Sequence, residues 1–185
     1  RGLVPLQLAA IESSDLLSLN EEQIASLSDS QIASLTASQV SSLLTPTTKF
    51  FTMSQMGSLN TDAIQAMTTT QLTQLSEDQV RGLNSAQIQK LSSTQLNGLL
   101  DYQLQAIDAG EIAAIDTEVL SLLSTEQVAN LSAGQIASIS TLQMKALTGE
   151  QLNALSEDQI ASIQTGDMAV LSTTQIRSLS DRVLS

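Results

Sequence analysis

Apolar residues recur along this chain with a strict period of eight residues. One apolar position runs from Leu8 to Leu184 and is apolar in 22 of 23 octads, with Thr48 as the departure. A second apolar position lies three residues further on and runs from Ile11 to Leu179 without exception. The residue before the first apolar position is Gln in 16 of 23 octads, which gives the consensus Leu-Ser-x-x-Gln-Ile-x-x. A register held this strictly predicts a repeat architecture.

A continuous α-helix cannot use this pattern, because eight residues at about 100° each rotate the apolar stripe by about 80° per octad. The chain must therefore break once per octad. The residue after the second apolar position is Ser, Thr, Asn or Asp in 18 of 22 octads; the exceptions are Glu12, Leu44, Leu100 and Gln164. Ser-x-x-Gln is the capping-box pattern of a helix start. The clearest predicted capping pairs are Ser28 with Gln31, Thr36 with Gln39, Ser124 with Gln127, and Ser172 with Gln175.

Charged residues support one short helix per octad. All 19 acidic residues fall at the cap or the first three helical positions, as Glu21, Glu22 and Glu126 do. Six of the seven basic residues fall in the last turn, and Arg182 is the exception. This distribution matches the helix dipole, which favours acids at helix starts and bases at helix ends.

We therefore predict an all-α fold, an α-solenoid or superhelix built from 8-residue repeats, each a short capped helix. A helix this short is marginal alone and must bury its apolar face against neighbouring octads. The residue before the second apolar position is Ala, Ser or Gly in 16 of 22 octads, which allows helices to approach closely. The alternatives are a β-solenoid, which the apolar spacings of three and five disfavour, and long bent helices in a bundle. The pattern does not specify how many octads form one superhelical turn.

Residues 1–185 are predicted to form a single solenoid, a segment of a longer array, with a candidate irregular seam at 44–52. The stretch "LLTPTTKFF" loses its Gln and brings Pro46, Phe50 and Phe51. It is read either as an aromatic contact surface or as a reshaped turn with Pro46 at the first helical position, and the second interpretation is favoured. The stretch 99–123 also varies and holds Tyr102, the only tyrosine, so a lateral contact with another chain is a hypothesis there.

Composition excludes several classes of function. The chain has no Cys and no His, which removes disulfides, thiolate metal sites and the commonest general base. The net charge of −12 disfavours nucleic acid, and no apolar run reaches the length of a membrane span. We predict no enzyme activity, no cofactor and no metal. The acidic residues Asp101, Asp108, Glu111, Asp116 and Glu118 invite a calcium hypothesis, but they match no EF-hand loop and fit helix starts instead.

The phrases "LSTEQVANLSAGQIASIS" and "LSTTQIRSLS" resemble the L-[ST]-x-x-Q-[IV]-x-x arrays of very large secreted or surface-associated bacterial proteins, which are often described as adhesin-like or haemagglutinin-like. The resemblance covers nearly the whole chain. It implies an extracellular or cell-surface bacterial location and a structural role, and it carries no binding residues.

Three functions follow as hypotheses. The leading one is a structural repeat segment, acting as a spacer, stalk or filament-forming region. The second is an adhesin-type binding module that recognises glycan, ice or a host surface through a regular Ser/Thr face. The third is a self-assembling fibre or sheath subunit. The expected partners are the chain itself, through end-to-end or lateral assembly, or adjoining repeats of a longer chain.

Overall fold

The computed structural model describes residues 4–43 and 50–183, with side chains described as far as residue 179. These residues form 21 short helices and no strand, so the helical prediction is confirmed over the β-solenoid alternative. Nearly every helix occupies four to six residues of its octad. The helices are Pro5–Ala9, Ser13–Leu16, Glu21–Ala25, Asp29–Ala33, Ala37–Ser42, Met53–Ser58, Thr61–Ala66, Thr69–Leu72, Glu77–Arg81, Ser85–Lys90, Ser93–Asn97, Asp101–Ala106, Ala109–Ile112, Thr117–Ser121, Thr125–Ala129, Ala133–Ala137, Thr141–Ala146, Gly149–Asn153, Glu157–Ser162, Thr165–Met168 and Thr173–Val183.

Two consecutive extended residues make the corner after helices such as Met53–Ser58, Ser85–Lys90 and Glu157–Ser162. At the end of Met53–Ser58, Leu59 has φ −56° and ψ 137°, and the cap residue Asn60 has φ −68° and ψ 157°. No described residue has a positive φ, so these corners do not need the left-handed glycine that ends many helices. A Leu followed by a capping residue is therefore sufficient to turn the chain every eight residues.

The superhelix repeats every 24 residues, because each helix packs against the helix three octads further along. Ala37–Ser42 contacts Thr61–Ala66, and Gly149–Asn153 contacts Thr173–Val183 in the same way. Three octads thus complete one turn, which supplies the parameter that the sequence pattern left open.

The two apolar positions of the octads fill the interior as one continuous core. Ile32, Leu104 and Leu152 are fully buried at the first position, and Leu75 and Leu155 are at most 1% exposed at the second. Burial of each such side chain stabilises the fold by roughly 1.5–3 kcal/mol. The core therefore serves to hold successive turns together.

Two glycines, Gly57 and Gly82, allow successive turns to come into close contact. A Cβ added to Gly57 would lie 2.7 Å from the carbonyl oxygen of Gly82, and one added to Gly82 would overlap the carbonyl group of Met53. Helix Glu77–Arg81 can approach Met53–Ser58 at this spacing only because both positions lack a side chain.

The last helix departs from the octad register. Thr173–Val183 runs for 11 residues without a break, although Ser180 occupies a predicted cap position. In the described part of the chain no later turn packs over this helix, so nothing there holds a corner at residues 179–180.

Candidate functional site: the glutamine ladder

The capping boxes predicted from the sequence are present. In Ser28–Gln31 the cap hydroxyl accepts a hydrogen bond from the Gln31 amide at 3.3 Å, and the Gln31 Oε1 accepts from the Ser28 amide at 2.8 Å. The same reciprocal pair forms at Thr36 with Gln39, Ser124 with Gln127, and Ser172 with Gln175. Each pair satisfies two backbone amides that a helix start leaves without partners.

The other end of the glutamine side chain performs a second task. The Gln87 Nε2 donates to the carbonyl oxygens of Met56 at 2.8 Å and Leu59 at 2.7 Å. These carbonyls belong to the corner that leads into Thr61–Ala66, the helix on which Ser85–Lys90 packs. One glutamine therefore caps its own helix with its oxygen and binds the turn below with its nitrogen.

This arrangement repeats throughout the described chain, and we call it the glutamine ladder. Its members donate Nε2 hydrogen bonds to carbonyls 28, 30 or 31 residues earlier, and all are at most 9% exposed. They are Gln39, Gln55, Gln71, Gln79, Gln87, Gln95, Gln103, Gln127, Gln135, Gln143, Gln151, Gln159 and Gln175. No buried side-chain polar atom among the described residues lacks a hydrogen-bond partner. The ladder thus supplies hydrogen-bond donors to backbone carbonyls of the turn below.

A glutamine without a turn beneath it behaves differently. Gln23 forms its capping box with Asn20 but is exposed. Among the described residues no helix lies three octads before Glu21–Ala25, the helix that contains Gln23. Burial of the ladder glutamines is therefore a product of superhelical packing and not of capping.

Where an octad lacks glutamine, another residue can take over the connection between turns. Ala63 stands at the glutamine position of its octad, and Asn60 both caps the helix and donates through Nδ2 to Ala33 O at 3.1 Å and Leu35 O at 2.6 Å. The side-chain amide thus stands three residues earlier in the octad, at the cap, and it still donates to carbonyls of the turn below.

Acidic residues at the glutamine position reverse the direction of the bond. The carboxylate of Asp167 accepts from Thr141 Oγ1 at 2.7 Å, and that of Glu111 accepts from Ser85 Oγ. Both donors lie 26 residues earlier, at the first position of the helix below. A carboxylate cannot donate to the corner carbonyls, so these octads use a hydroxyl instead.

The ladder function of glutamine was not predicted from the sequence. A signal for it exists, because a capping box accepts Glu as readily as Gln and the helix dipole favours Glu. This acidic chain nevertheless places Glu at that position once, as Glu111, and Gln 16 times. Such a preference indicates that the position needs a hydrogen-bond donor.

The three aromatic residues of the predicted contact surface differ in how far they are buried. Phe51 is 3% exposed and lines a cavity of only about 10 Å³ with Leu16 and Leu43, so it fills core space and cannot serve as a surface. Phe50 packs half-buried against the core, whereas Tyr102 is 43% exposed. Of the proposed seam at 44–52, residues 44–49 lie outside the described residues.

The acidic residues of the calcium hypothesis are not gathered into a site. No group of three or more acidic side chains is placed to hold a metal within residues 4–43 and 50–179. Asp116 caps its own helix by accepting from the Glu118 amide at 2.9 Å, as the helix-start interpretation predicts. No helix in the described segments is long and apolar enough to cross a membrane.

One side of the solenoid carries an uninterrupted column of hydroxyl residues at the first helical position. Because three octads form a turn, residues 24 apart lie above one another. Five consecutive turns carry a hydroxyl in one such column, which consists of Thr69, Ser93, Thr117, Thr141 and Thr165. The two neighbouring columns are mixed at this position: Glu77, Asp101 and Ala109 stand in the same columns as hydroxyl residues such as Ser85 and Thr125.

These features define a helical repeat protein in which three octads form each superhelical turn. The family model described as the ALTTAQ repeat matches residues 8–45. The matched span includes Ser34-Leu35-Thr36-Ala37-Ser38-Gln39, in which a small residue is followed by the buried Leu35, the cap Thr36 and the ladder residue Gln39. No curated protein matches the chain.

Proposed function

We propose that the chain is a spacer, stalk or filament-forming segment of an extracellular or cell-surface bacterial protein. The observation that carries this proposal is the glutamine ladder, which hydrogen-bonds each turn to the next along the solenoid. At 24 residues per turn, 185 residues correspond to about 7.7 turns. Helix spacings of about 8–10 Å then give a rod roughly 60–75 Å long.

The ladder suits a mechanical role because its bonds lie between turns. Stretching the rod would have to separate buried amide-to-carbonyl bonds as well as core side chains. Each neutral hydrogen bond contributes roughly 0.5–1.5 kcal/mol net, and the ladder places two or three at most rungs. Length and stiffness would then scale with the number of octads, as expected for a quasi-one-dimensional repeat protein.

The spacer proposal is tested by changing the length of the chain in register. Duplicating residues 125–148 adds three octads and one full turn, whereas adding four residues after Thr148 breaks the register. Small-angle X-ray scattering should show the duplicated chain longer by about 8–10 Å at an unchanged cross-section. The four-residue insertion should lose helix content by circular dichroism. A duplicated chain that widens without lengthening would contradict the proposal.

Location is a separate part of the proposal. The acidic, cysteine-free and aromatic-poor composition and the resemblance to surface-associated arrays support an extracellular site. Antibodies raised against the chain should label intact cells of the source organism. Labelling only after the cells are opened would refute the location without touching the spacer mechanism.

An adhesin-type module is the second candidate, favoured by the hydroxyl column. Its members from Thr69 to Thr165 lie above one another over five turns. Replacing Thr69 and Thr117 by Val would remove hydroxyls with little change in shape. A binding role predicts that glycan or ice binding by the chain is lost in this variant. The spacer role alone predicts no such binding in either protein.

A further inference from the structure

Three departures from the octad pattern place apolar residues on the surface of the same region. Leu100 stands at a cap position and is 45% exposed, and Leu122 stands at the small position and is 55% exposed. Tyr102, at the second helical position, is 43% exposed. Most octads carry a polar or small residue at the positions of Leu100 and Leu122. Folding of the repeat therefore does not account for these side chains.

Leu100 and Leu122 line one open groove of about 500 Å³ between successive turns. Asn97, Asp101 and Ser124 complete its walls. The Nδ2 of Asn97 donates to the carbonyl oxygen of Leu122 at 3.1 Å and so fixes the two turns at the groove. The groove thus combines two exposed leucines with polar side chains, and protein–protein interfaces also pair an apolar centre with a polar rim.

Leu100 is unfavourable for the fold itself. It makes no side-chain cap hydrogen bond, although Gln103 still accepts from its backbone amide at 2.9 Å. Ser, Thr, Asn or Asp stabilises a helix start and an apolar residue does not. The position thus exposes an apolar surface where a cap would be expected.

The charges around the groove indicate the chemistry of its occupant. Asp101 lines the groove and is exposed. Tyr102 lies between Asp78 and Glu126, which hold its position in the turns below and above. Asp78 pairs with Arg81 at 2.8 Å, and Lys145 is the basic residue one turn above Ser121 at this corner. Acidic residues thus outnumber basic ones by three to two around the groove, and Asp101 is the one charged residue among the described residues that line it.

A second copy of the chain is a poor occupant. It would bring a net charge of −12 and the same acidic surroundings to the groove. Like charges brought together oppose association, whereas a positively charged segment would be attracted.

We propose that this groove docks a basic polypeptide segment, with a branched or aromatic side chain on Leu100 and Leu122 and Lys or Arg near Asp101 and Glu126. The groove would anchor a positively charged partner part-way along the rod. The inference does not depend on the spacer role, because it concerns one surface of the folded chain.

Tyr102 provides the readout for a test. It is the only tyrosine, and the chain has no tryptophan, so tyrosine emission reports this region alone. The probe is a synthetic amphipathic peptide of Leu and Lys without aromatic residues, titrated into the full chain. We expect a saturable change in Tyr102 emission, weakened by added salt, with NMR shifts confined to residues 97–102 and 122–127. A matched peptide with Glu in place of Lys should not bind.

Variants that restore the repeat pattern make the test specific. Leu100→Ser with Leu122→Ala returns both positions to residues common in other octads and should weaken peptide binding at least tenfold. Leu142→Ser removes a 69% exposed leucine that does not line the groove and should leave binding unchanged. The proposal is overturned by equal binding to all three proteins, by no binding to the wild-type chain, or by sedimentation showing a dimer that the double variant abolishes.

Discussion

The side-chain amide of Gln87 donates to the backbone carbonyl of Leu59, 28 residues earlier, at 2.7 Å. The Oε1 of the same side chain accepts from the amide of Asn84, the cap of its own helix, at 2.8 Å. Both ends of the amide are used, and Gln87 is fully buried. One glutamine therefore caps its own helix and also hydrogen-bonds that helix to the turn below.

Replacing Gln87 by Glu should destabilise the fold while preserving the capping box. A carboxylate can accept from the cap amide but cannot donate to Met56 O or Leu59 O, and it would be charged and buried. We expect a loss of about 3 kcal/mol or more in the free energy of unfolding at pH 7, measured by urea titration and circular dichroism. The control Gln23→Glu alters an exposed cap glutamine and should change stability by less than about 0.5 kcal/mol.

The same Gln87→Glu variant should recover stability in acid relative to the wild-type chain. Burial disfavours the charged carboxylate, so the pKa of the introduced group should be raised in the folded state above the value of about 4.3 in the unfolded chain. A raised pKa contributes stability below the unfolded value and loses it as pH rises through the folded value. The deficit of the variant should therefore shrink as pH falls from the folded-state pKa towards about 4.3, and it should be smallest below about pH 4. A deficit that is constant with pH would argue against a buried carboxylate.

Asn60 offers a test of whether the connection between turns can be moved within an octad. Asn60→Ser keeps the cap but removes the Nδ2 bonds to Ala33 O and Leu35 O, which should cost about 1–3 kcal/mol. Adding Ala63→Gln to this variant restores the ordinary Ser-x-x-Gln octad and should recover most of the loss. The free energy of unfolding of both variants is measured by urea titration. A double variant no more stable than Asn60→Ser would show that Gln at position 63 cannot replace the Asn60 hydrogen bonds.

Close packing of turns is tested at two glycines. Gly82 has helical φ and ψ of −71° and −14°, so Ala is conformationally allowed there, but its Cβ would lie 3.0 Å from the Met53 carbonyl carbon. Gly82→Ala should therefore destabilise by about 1–3 kcal/mol. Gly110 also lies within a helix and has nothing within 4 Å of an added Cβ. Gly110→Ala should stabilise by up to about 1 kcal/mol, and thermal unfolding of both variants should show the opposite signs.

Leu100→Ser should stabilise the chain by completing a capping box. Gln103 already accepts from the backbone amide of residue 100, and a serine hydroxyl would accept from Gln103 in return. The expected gain is about 0.5–2 kcal/mol. The reverse change one octad earlier, Ser92→Leu, removes a bond of 3.2 Å to the Gln95 amide and should lose a similar amount. Equal stability of all three proteins would show that capping contributes little in this repeat.

Much of the local structure follows from the octad pattern, because capping and helix dipole effects act within eight residues. The helix starts at Ser28 and Thr36, the buried positions of Ile32 and Leu35, and the corners all agree with it. The 24-residue turn does not follow, because each octad repeats nearly the same pattern and nothing in it marks every third one. The Nε2 hydrogen bonds of the ladder glutamines exist only because of this turn, so the octad pattern does not predict them either.

Surface departures were recognised from the sequence, but their outcomes depend on which column of the solenoid they join. Phe51 falls on a core position and becomes buried, whereas Tyr102 falls on an outward position and remains exposed. Leu100 and Leu122 are 22 residues apart and line the same groove only because successive turns stack. The octad pattern alone does not show which residues of successive turns are neighbours.

The most direct test of the ladder is hydrogen exchange of the glutamine side-chain amides, measured by NMR in the full chain. The Nε2 protons of Gln87 should be strongly protected, because they are buried and donate to two carbonyls. Those of Gln23, which is capped in the same way but exposed, should exchange at close to the rate of a free amide. If the Gln87 side-chain amide exchanges as fast as that of Gln23 while the backbone remains protected, glutamine does not bind one turn to the next.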